Sequence, residues 1–312
     1  MAAEISDTLK KIPIISRIAY WFNQIKLPGL KGFTLYDLLS LYTVGIIKGT
    51  FSTRAGSIAF SFFMAIFPFL LFILNLIPFV WFIDDFQNEL LNYLEDLLPP
   101  QTTGIFEDIF FDIANTPRAG LLSFVFLLSI FLMSNGVNAI FTGFEFSYHT
   151  KINRSIVRQY MVAVGVALIV SILLLIAVIA TIYFTYLINQ FKTMGVVGDT
   201  VLLAKYGRFA ILILVLVFGI SILYYFGTKE GRKTRFFSIG SFFTTLLIIL
   251  TTYLFSGYIE NFGAYNKLYG SIGALLILML YIWLNSNILL LGFELNGAIF
   301  NLKKKSNSNS SH

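Results

Sequence analysis

The amino-acid sequence predicts an all-α, polytopic membrane protein: a six-helix transmembrane bundle with an amphipathic N-terminal helix and a helical outer loop. Three observations lead there. Hydrophobic residues fill 57% of the 312 positions and charged residues only 12%. The hydrophobic residues collect in six runs, and Lys and Arg alternate between rich and poor segments from one run to the next. A water-soluble domain has about 45–50% apolar and about 25% charged residues, so this chain carries too little charge to cover a water-facing surface. The mean hydropathy of +0.80 agrees.

The elements follow in order. Residues 1–56 form an interfacial segment: Leu9 to Ile25 mixes Ile, Trp21 and Phe22 with Lys10, Lys11 and Arg17, as in a helix lying along a membrane surface. No cleavable signal peptide is visible, so the first apolar run is expected to act as its own insertion signal. A helix needs about 20 apolar residues to cross ~30 Å of hydrocarbon. Six windows qualify: Ser57–Ile83, Gly120–Phe144, Tyr160–Ile188, Phe209–Phe226, Phe236–Ile259 and Tyr269–Phe300. They make up a transmembrane domain over residues 57–300, in which the long third and sixth windows require tilt or extension beyond the bilayer. The outer loop, 84–119, carries eight acids and reads as two amphipathic helices broken at Pro99-Pro100. Residues 301–312 are polar and low in complexity, and are expected to be disordered.

Orientation comes from the basic residues. Seventeen of the 22 Lys and Arg fall in the segments before window one, after windows two and four, and in the tail. The positive-inside rule puts that side in the cytoplasm, with both termini there and an even number of spans. A net charge of +6 is then an orientation signal and implies no nucleic-acid partner.

Polar groups inside apolar helices are the candidate functional residues, because a charge near the middle of a bilayer costs about 2.5–3.5 kcal/mol or more. Arg54, Ser57, Ser61, Ala65 and Pro68 form a small-and-polar stripe on window one. Asn135, Asn138, Thr142 and Glu145 form another on window two, and Asn287, Glu294 and Ala298 a third on window six. Helical spacing puts each set on one face. Arg54, Glu145 and Glu294 all fall near the inner end of their helices. They are expected to line a polar, partly hydrated cavity, with Arg54 pairing one or both carboxylates; an interhelical clamp explains the same residues without any substrate. Pro68 removes a backbone hydrogen bond and predicts a kink.

Three stretches carry a family resemblance: Arg54-Ala55-Gly56-Ser57-Ile58-Ala59-Phe60 leading to Phe67-Pro68-Phe69; Asn135-Gly136-Val137-Asn138-Ala139; and Tyr269-Gly270-Ser271-Ile272-Gly273 with Leu291-Gly292-Phe293-Glu294-Leu295-Asn296. The chain resembles the YihY/virulence factor BrkB family of bacterial inner-membrane proteins, formerly labelled ribonuclease BN, over about residues 40–300. Phe293 departs from the pattern, where alanine is expected, and the Ser147-Tyr148-His149 region is less typical than the rest. The resemblance implies six membrane helices in the bacterial cytoplasmic membrane, with proposed roles in transport, envelope lipid handling and serum resistance. Its closing motif adds Asn296 to the candidate polar residues.

No catalytic residue, cofactor site or metal site is expected. Metal-assisted RNA cleavage needs clustered His, Asp or Glu, and the chain has two histidines, His149 and His312, and no cysteine. The dense acids lie in the outer loop, where their field repels RNA. The expected function is a transporter or flippase-like protein for an envelope lipid or an amphiphilic or polar solute. Membrane lipids are its surroundings, and a lipid or small amphiphile is its substrate. The alternative is a non-catalytic scaffold or regulator that recruits partners through its basic segments.

Overall fold

The computed structural model describes residues 21–26, 34–40, 51–76, 122–147, 155–194, 200–229, 231–261 and 271–309. Six long helices dominate: α1 (Phe51–Leu76), α2 (Leu122–Glu145), α3 (Ile156–Thr193), α4 (Thr200–Gly227), α5 (Ile239–Asn261) and α6 (Ser271–Asn309). A 3₁₀ turn over Gly231–Lys233 links α4 to α5. Among the described residues five helices, α2 to α6, are long and apolar enough to cross a membrane; α1 contributes the shorter apolar stretch Phe51–Ile66. The all-α membrane architecture read from the sequence is the observed one. The outer loop 84–119 and most of the expected N-terminal interfacial helix lie outside the described residues.

Several helix ends differ from the hydropathy windows, each for a physical reason. α1 starts at Phe51, six residues before its window, and takes in Arg54 because that guanidinium finds partners inside the bundle. α4 starts at Thr200 rather than Phe209, since Lys205 and Arg208 sit in its first turns, where charged heads can reach the membrane surface. α6 continues to Asn309, through part of the segment expected to be disordered. No Gly or Pro follows Gly297 to stop it. α1 runs without a break across Pro68.

Each helix packs against its neighbours in sequence, and α6 closes the ring by packing on α1. Neighbours run antiparallel, as shown by Gly136 beside Ala65 with Gly143 beside Ile58, by Gln159 on Thr142 with Ser171 on Met133, and by Gly240 on Asn296 with Thr252 on Tyr281. One end of the bundle therefore gathers the start of α1, the end of α2, the start of α3, the end of α4, the start of α5 and the end of α6. Arg54, Arg158, Lys229, Arg232, Lys233, Arg235, Lys303 and Lys304 all belong to this basic end. The short helical segment 34–40 is tied to it as well. Thr34 and Asp37 cap that segment reciprocally, and Leu38 packs on Ala298 and Leu302 of α6.

Close helix contact depends on small residues at two crossings. A Cβ on Gly136 would stand 2.9 Å from the Ala65 Cβ, so only glycine lets α2 lie this near α1. Where α5 crosses α6, Gly240 and Gly292 face each other, and a Cβ on Gly292 would run into the Thr244 hydroxyl, the Tyr224 hydroxyl and the Gly240 carbonyl. Without a hydrophobic force between helices in lipid, such contacts and the hydrogen bonds they permit supply much of the association energy.

Candidate functional site: a buried ion pair at the basic end

Arg54 and Glu294 are separated by 240 positions in sequence and meet inside the bundle: Arg54 Nη2 lies 3.1 Å from Glu294 Oε1. Helical phase brings them there. Arg54 occupies the same face of α1 as the buried Ala55, Ile58 and Ala65, and Glu294 follows Leu290 on the buried face of α6. Arg54 is 6% exposed and Glu294 0%. The guanidinium also donates from Nη1 to the Gly143 carbonyl of α2 at 3.0 Å, and its Cζ lies 5.4 Å from the centre of the Phe51 ring. Three helices are thus joined through one cation.

The pair is incompletely satisfied. Among the described residues, neither Arg54 Nε nor Glu294 Oε2, both buried, has a hydrogen-bond partner. Buried polar atoms almost always find partners, and a desolvated ion pair repays its burial only when its remaining donors and acceptors are also met.

Around the pair stand two further polar clusters. On one side, Gln159 of α3 is buried against the end of α2. With its amide turned to suit its neighbours, it donates to a Glu145 carboxylate oxygen at 2.7 Å and its amide oxygen lies 3.0 Å from the Thr142 hydroxyl oxygen; that orientation follows from the hydrogen-bonding pattern. On the other side, the Tyr224 hydroxyl donates to the Leu289 carbonyl of α6 at 2.7 Å and shares a 2.6 Å hydrogen bond with Thr244 of α5. Between these clusters an aromatic plug closes the core: Phe144 and Phe293 stack with centroids 4.2 Å apart and planes 6° off parallel, and Tyr224 meets both edge-on.

The other candidate residues divide. Asn296 bridges helices, accepting from the Gly240 N–H at 2.8 Å and donating to the Ser238 hydroxyl at 2.8 Å. Ser61 and the buried Pro68 face into the α1 packing, and Asn135 and Asn138 are half-buried on α2, the Asn138 carbonyl accepting from Thr142. Ser57 is exposed on the outer surface of α1 and stands apart from the cluster. Asn287 donates at 2.7 Å to the Trp283 carbonyl of its own helix, so its amide is used locally. The stripe expected to face a cavity is therefore split between inside and outside, and the Arg54–Glu294 centre is closed to solvent in this conformation.

Sequence reasoning missed Gln159, Tyr224 and Thr244. Gln159 follows Arg158 in the first turn of α3, where it reads as a surface residue, and Tyr224 sits beside Tyr225 near a helix end, where both read as interfacial aromatics. A signal for Gln159 existed: an amide at a helix start opposite the Thr142–Glu145 end of the preceding helix. Phe293, unusual for the motif, has its reason in the stack on Phe144.

The motif residues Arg54, Glu294 and Asn296 fall within a longer match. The family described as Virulence factor BrkB matches residues 45–312. The chain belongs to the BrkB family. This BrkB chain is 28% identical over 280 residues to the Bacillus subtilis (strain 168) protein named "Putative ribonuclease-like protein YfkH", covering 89% of this chain and 99% of that one. No solved structure matches it. The BrkB region begins ahead of α1 and takes in all six helices, so the ion pair, the Gln159 cluster and the aromatic plug all lie within the shared part.

Proposed function

We propose that this BrkB protein is a multi-pass protein of the bacterial cytoplasmic membrane that moves an envelope lipid or another amphiphilic or polar solute, with the basic end of the bundle in the cytoplasm. The observation that carries the reading is the Arg54–Glu294 pair: two charges held where α1, α2 and α6 meet, each with a polar atom that has no partner among the described residues. Intramembrane ionisable residues mark substrate and ion pathways more often than they mark packing alone. The aromatic plug beside the pair is the element that has to shift for a path to open, and its stacked Phe144 and Phe293 belong to two different helices. A polar headgroup arriving from the basic end meets Arg54 first as a hydrogen-bonding fork and then Glu294 as a competing acceptor.

A second reading is favoured by one specific observation. The pair is shut off from solvent, as in an interhelical clamp, and a scaffold that recruits partners through its basic segments needs no path. RNA cleavage, suggested by the name of the Bacillus relative, has less support: the two buried or half-buried carboxylates of this site are held by Arg54 and by Gln159, and among the described residues no converging set is left to bind a catalytic metal.

The test is reconstitution into liposomes with fluorescent phospholipids and a panel of small polar solutes. The transport reading expects movement above that of empty vesicles for at least one of them; movement equal to empty vesicles throughout the panel leaves the scaffold. Orientation is tested separately and cleanly, because the chain has no cysteine. A single Lys303→Cys in intact cells is expected to resist a membrane-impermeant maleimide until the membrane is opened, and prompt labelling would reverse the orientation.

A further inference from the structure

A second polar feature of the basic end lies apart from the ion pair. A cavity of about 440 Å³ opens between the start of α5 and the end of α6. Lys233 and Arg235 line it from the connection before α5, and Lys303 and Lys304 from α6. Among the described residues no acid contributes to its wall and none of these four cations has an ion-pair partner. Four uncompensated charges around one concavity favour an anion, and Arg beside Lys and hydroxyl groups is the donor set that suits phosphate oxygens.

The floor of the cavity is fixed. Ser238 and Ser241 cap α5 reciprocally at 3.1 Å, and the Ser238 hydroxyl oxygen also accepts from Asn296, which leaves its own proton to donate. The turn before it is held by Gly231 N–H on the Thr228 hydroxyl and by Thr234 on the Gly231 carbonyl, and Arg232 is held away from the cavity over the Phe226 ring. A receptor assembled in this way spends little on ordering when it binds.

The remaining wall is apolar. Phe237 and Ile239 line the cavity and are 44% and 62% exposed, while Ile299 and Phe300 face them from α6. The position explains this double character. The apolar spans Ile239–Ile259 and Leu275–Lys304 both reach their ends here, so the cations stand at headgroup depth and the exposed apolar side chains stand at the level where acyl chains begin. A soluble phosphate uses only the first half of such a site. A membrane lipid uses both.

We propose that this cavity is a binding site for the phosphate headgroup of an anionic membrane lipid, with the acyl chains lying against Phe237 and Ile239. The site goes beyond the transport reading, since a lipid held here serves equally as a fixed structural lipid in a scaffold. An RNA chain is the poorer fit, because its repeated charges need an extended basic track and this cavity is bounded by apolar residues.

The test uses the full chain purified in a mild neutral detergent, with retained lipid counted by native mass spectrometry during titration with palmitoyl-oleoyl phosphatidylglycerol or the phosphatidylcholine of the same chains. Retention of phosphatidylglycerol over phosphatidylcholine is expected. Lys233→Gln/Arg235→Gln and, separately, Lys303→Gln/Lys304→Gln are each expected to weaken it roughly 10- to 30-fold, at unchanged melting temperature because all four side chains are exposed. The charge-matched Lys205→Gln/Arg208→Gln, at the far end of α4, is expected to leave retention unchanged. Equal loss in that control, or equal retention of both lipids, overturns the site in favour of diffuse attraction. Binding of sn-glycerol 3-phosphate or of a short RNA that depends on the same four residues, with no phosphatidylglycerol retained, overturns the assignment to a lipid. A null result in the flux assay leaves this outcome untouched, so the two readings fail separately.

Discussion

The long helix α3 and the corner where α1, α2 and α6 meet solve the same packing problem by different means. α3 is apolar along most of its length, and its inward face is made mostly of small residues: Ala163, Val166, Ala167, Ser171, Ala177 and Val178 are buried, with Leu174 and Ile188, while Ile169, Ile172 and Ile176 are exposed. Large aliphatic side chains such as Ile169, Ile172 and Ile176 can face outward because lipid is as apolar as they are, and small inward residues let the helices lie close. The α1–α2–α6 corner also uses small residues, Ala55, Ala59, Gly136 and Gly143, but spends the close approach on polar contacts that need it. About half of the α2 and α6 spans is buried, against 28% of α5. In this bundle, central position goes to the helices that combine small and polar residues, and overall hydrophobicity says nothing about which face turns inward.

The comparison is broken most severely at a glycine of a close crossing. Gly292→Val puts a branched side chain against Tyr224, Thr244 and the α5 backbone, and is expected to cost more than 3 kcal/mol, beyond ordinary overpacking, or to prevent folding; chemical unfolding in detergent measures it. Next come the charges. Arg54→Ala and Glu294→Gln should each cost about 3–5 kcal/mol, the range seen when one member of a buried pair is removed. The apolar double replacement Arg54→Met/Glu294→Leu is expected to cost clearly less than the two singles added together, and a double-mutant cycle reads the difference directly. Tyr224→Phe removes a hydroxyl that joins α4, α5 and α6 and should cost about 0.5–1.5 kcal/mol. At the small end, Ile176→Val on the lipid-facing side of α3 is expected to stay within about 0.5 kcal/mol of the parent. A loss there as large as at Tyr224 would mean that the outward aliphatics of α3 pack against something, and the contrast between the two regions would fail.

These regions were also unequally legible in the sequence. Hydropathy located all six helices, because runs of about 20 apolar residues have few alternative states, and the alternation of Lys and Arg anticipated that the start of α1 and the end of α6 share one end. It misplaced helix ends wherever a charge is tolerated: Arg54 by its partners, Lys205 and Arg208 by reaching the surface. Arg54 and Glu294 stood out because an isolated charge in an apolar run is expensive. Ser57 and Asn287 belonged to the same stripes by spacing, yet one faces outward and the other bonds its own helix, since a small polar group in a helix can satisfy itself on the carbonyl four residues back. Gln159 and Tyr224 were hidden because their roles depend on which helices become neighbours, and periodicity within one helix does not record that.

The central claim is that the Arg54–Glu294 pair serves movement through the bundle and does more than hold it together. It is tested most directly by measuring lipid and solute movement for Glu294→Gln, Arg54→Ala and Arg54→Met/Glu294→Leu in proteoliposomes, each normalised to the folded fraction recovered. The account predicts that the apolar double variant regains stability relative to the singles while movement stays at the level of empty vesicles. Movement that returns along with stability in the double variant would contradict it, and would leave the pair as a clamp.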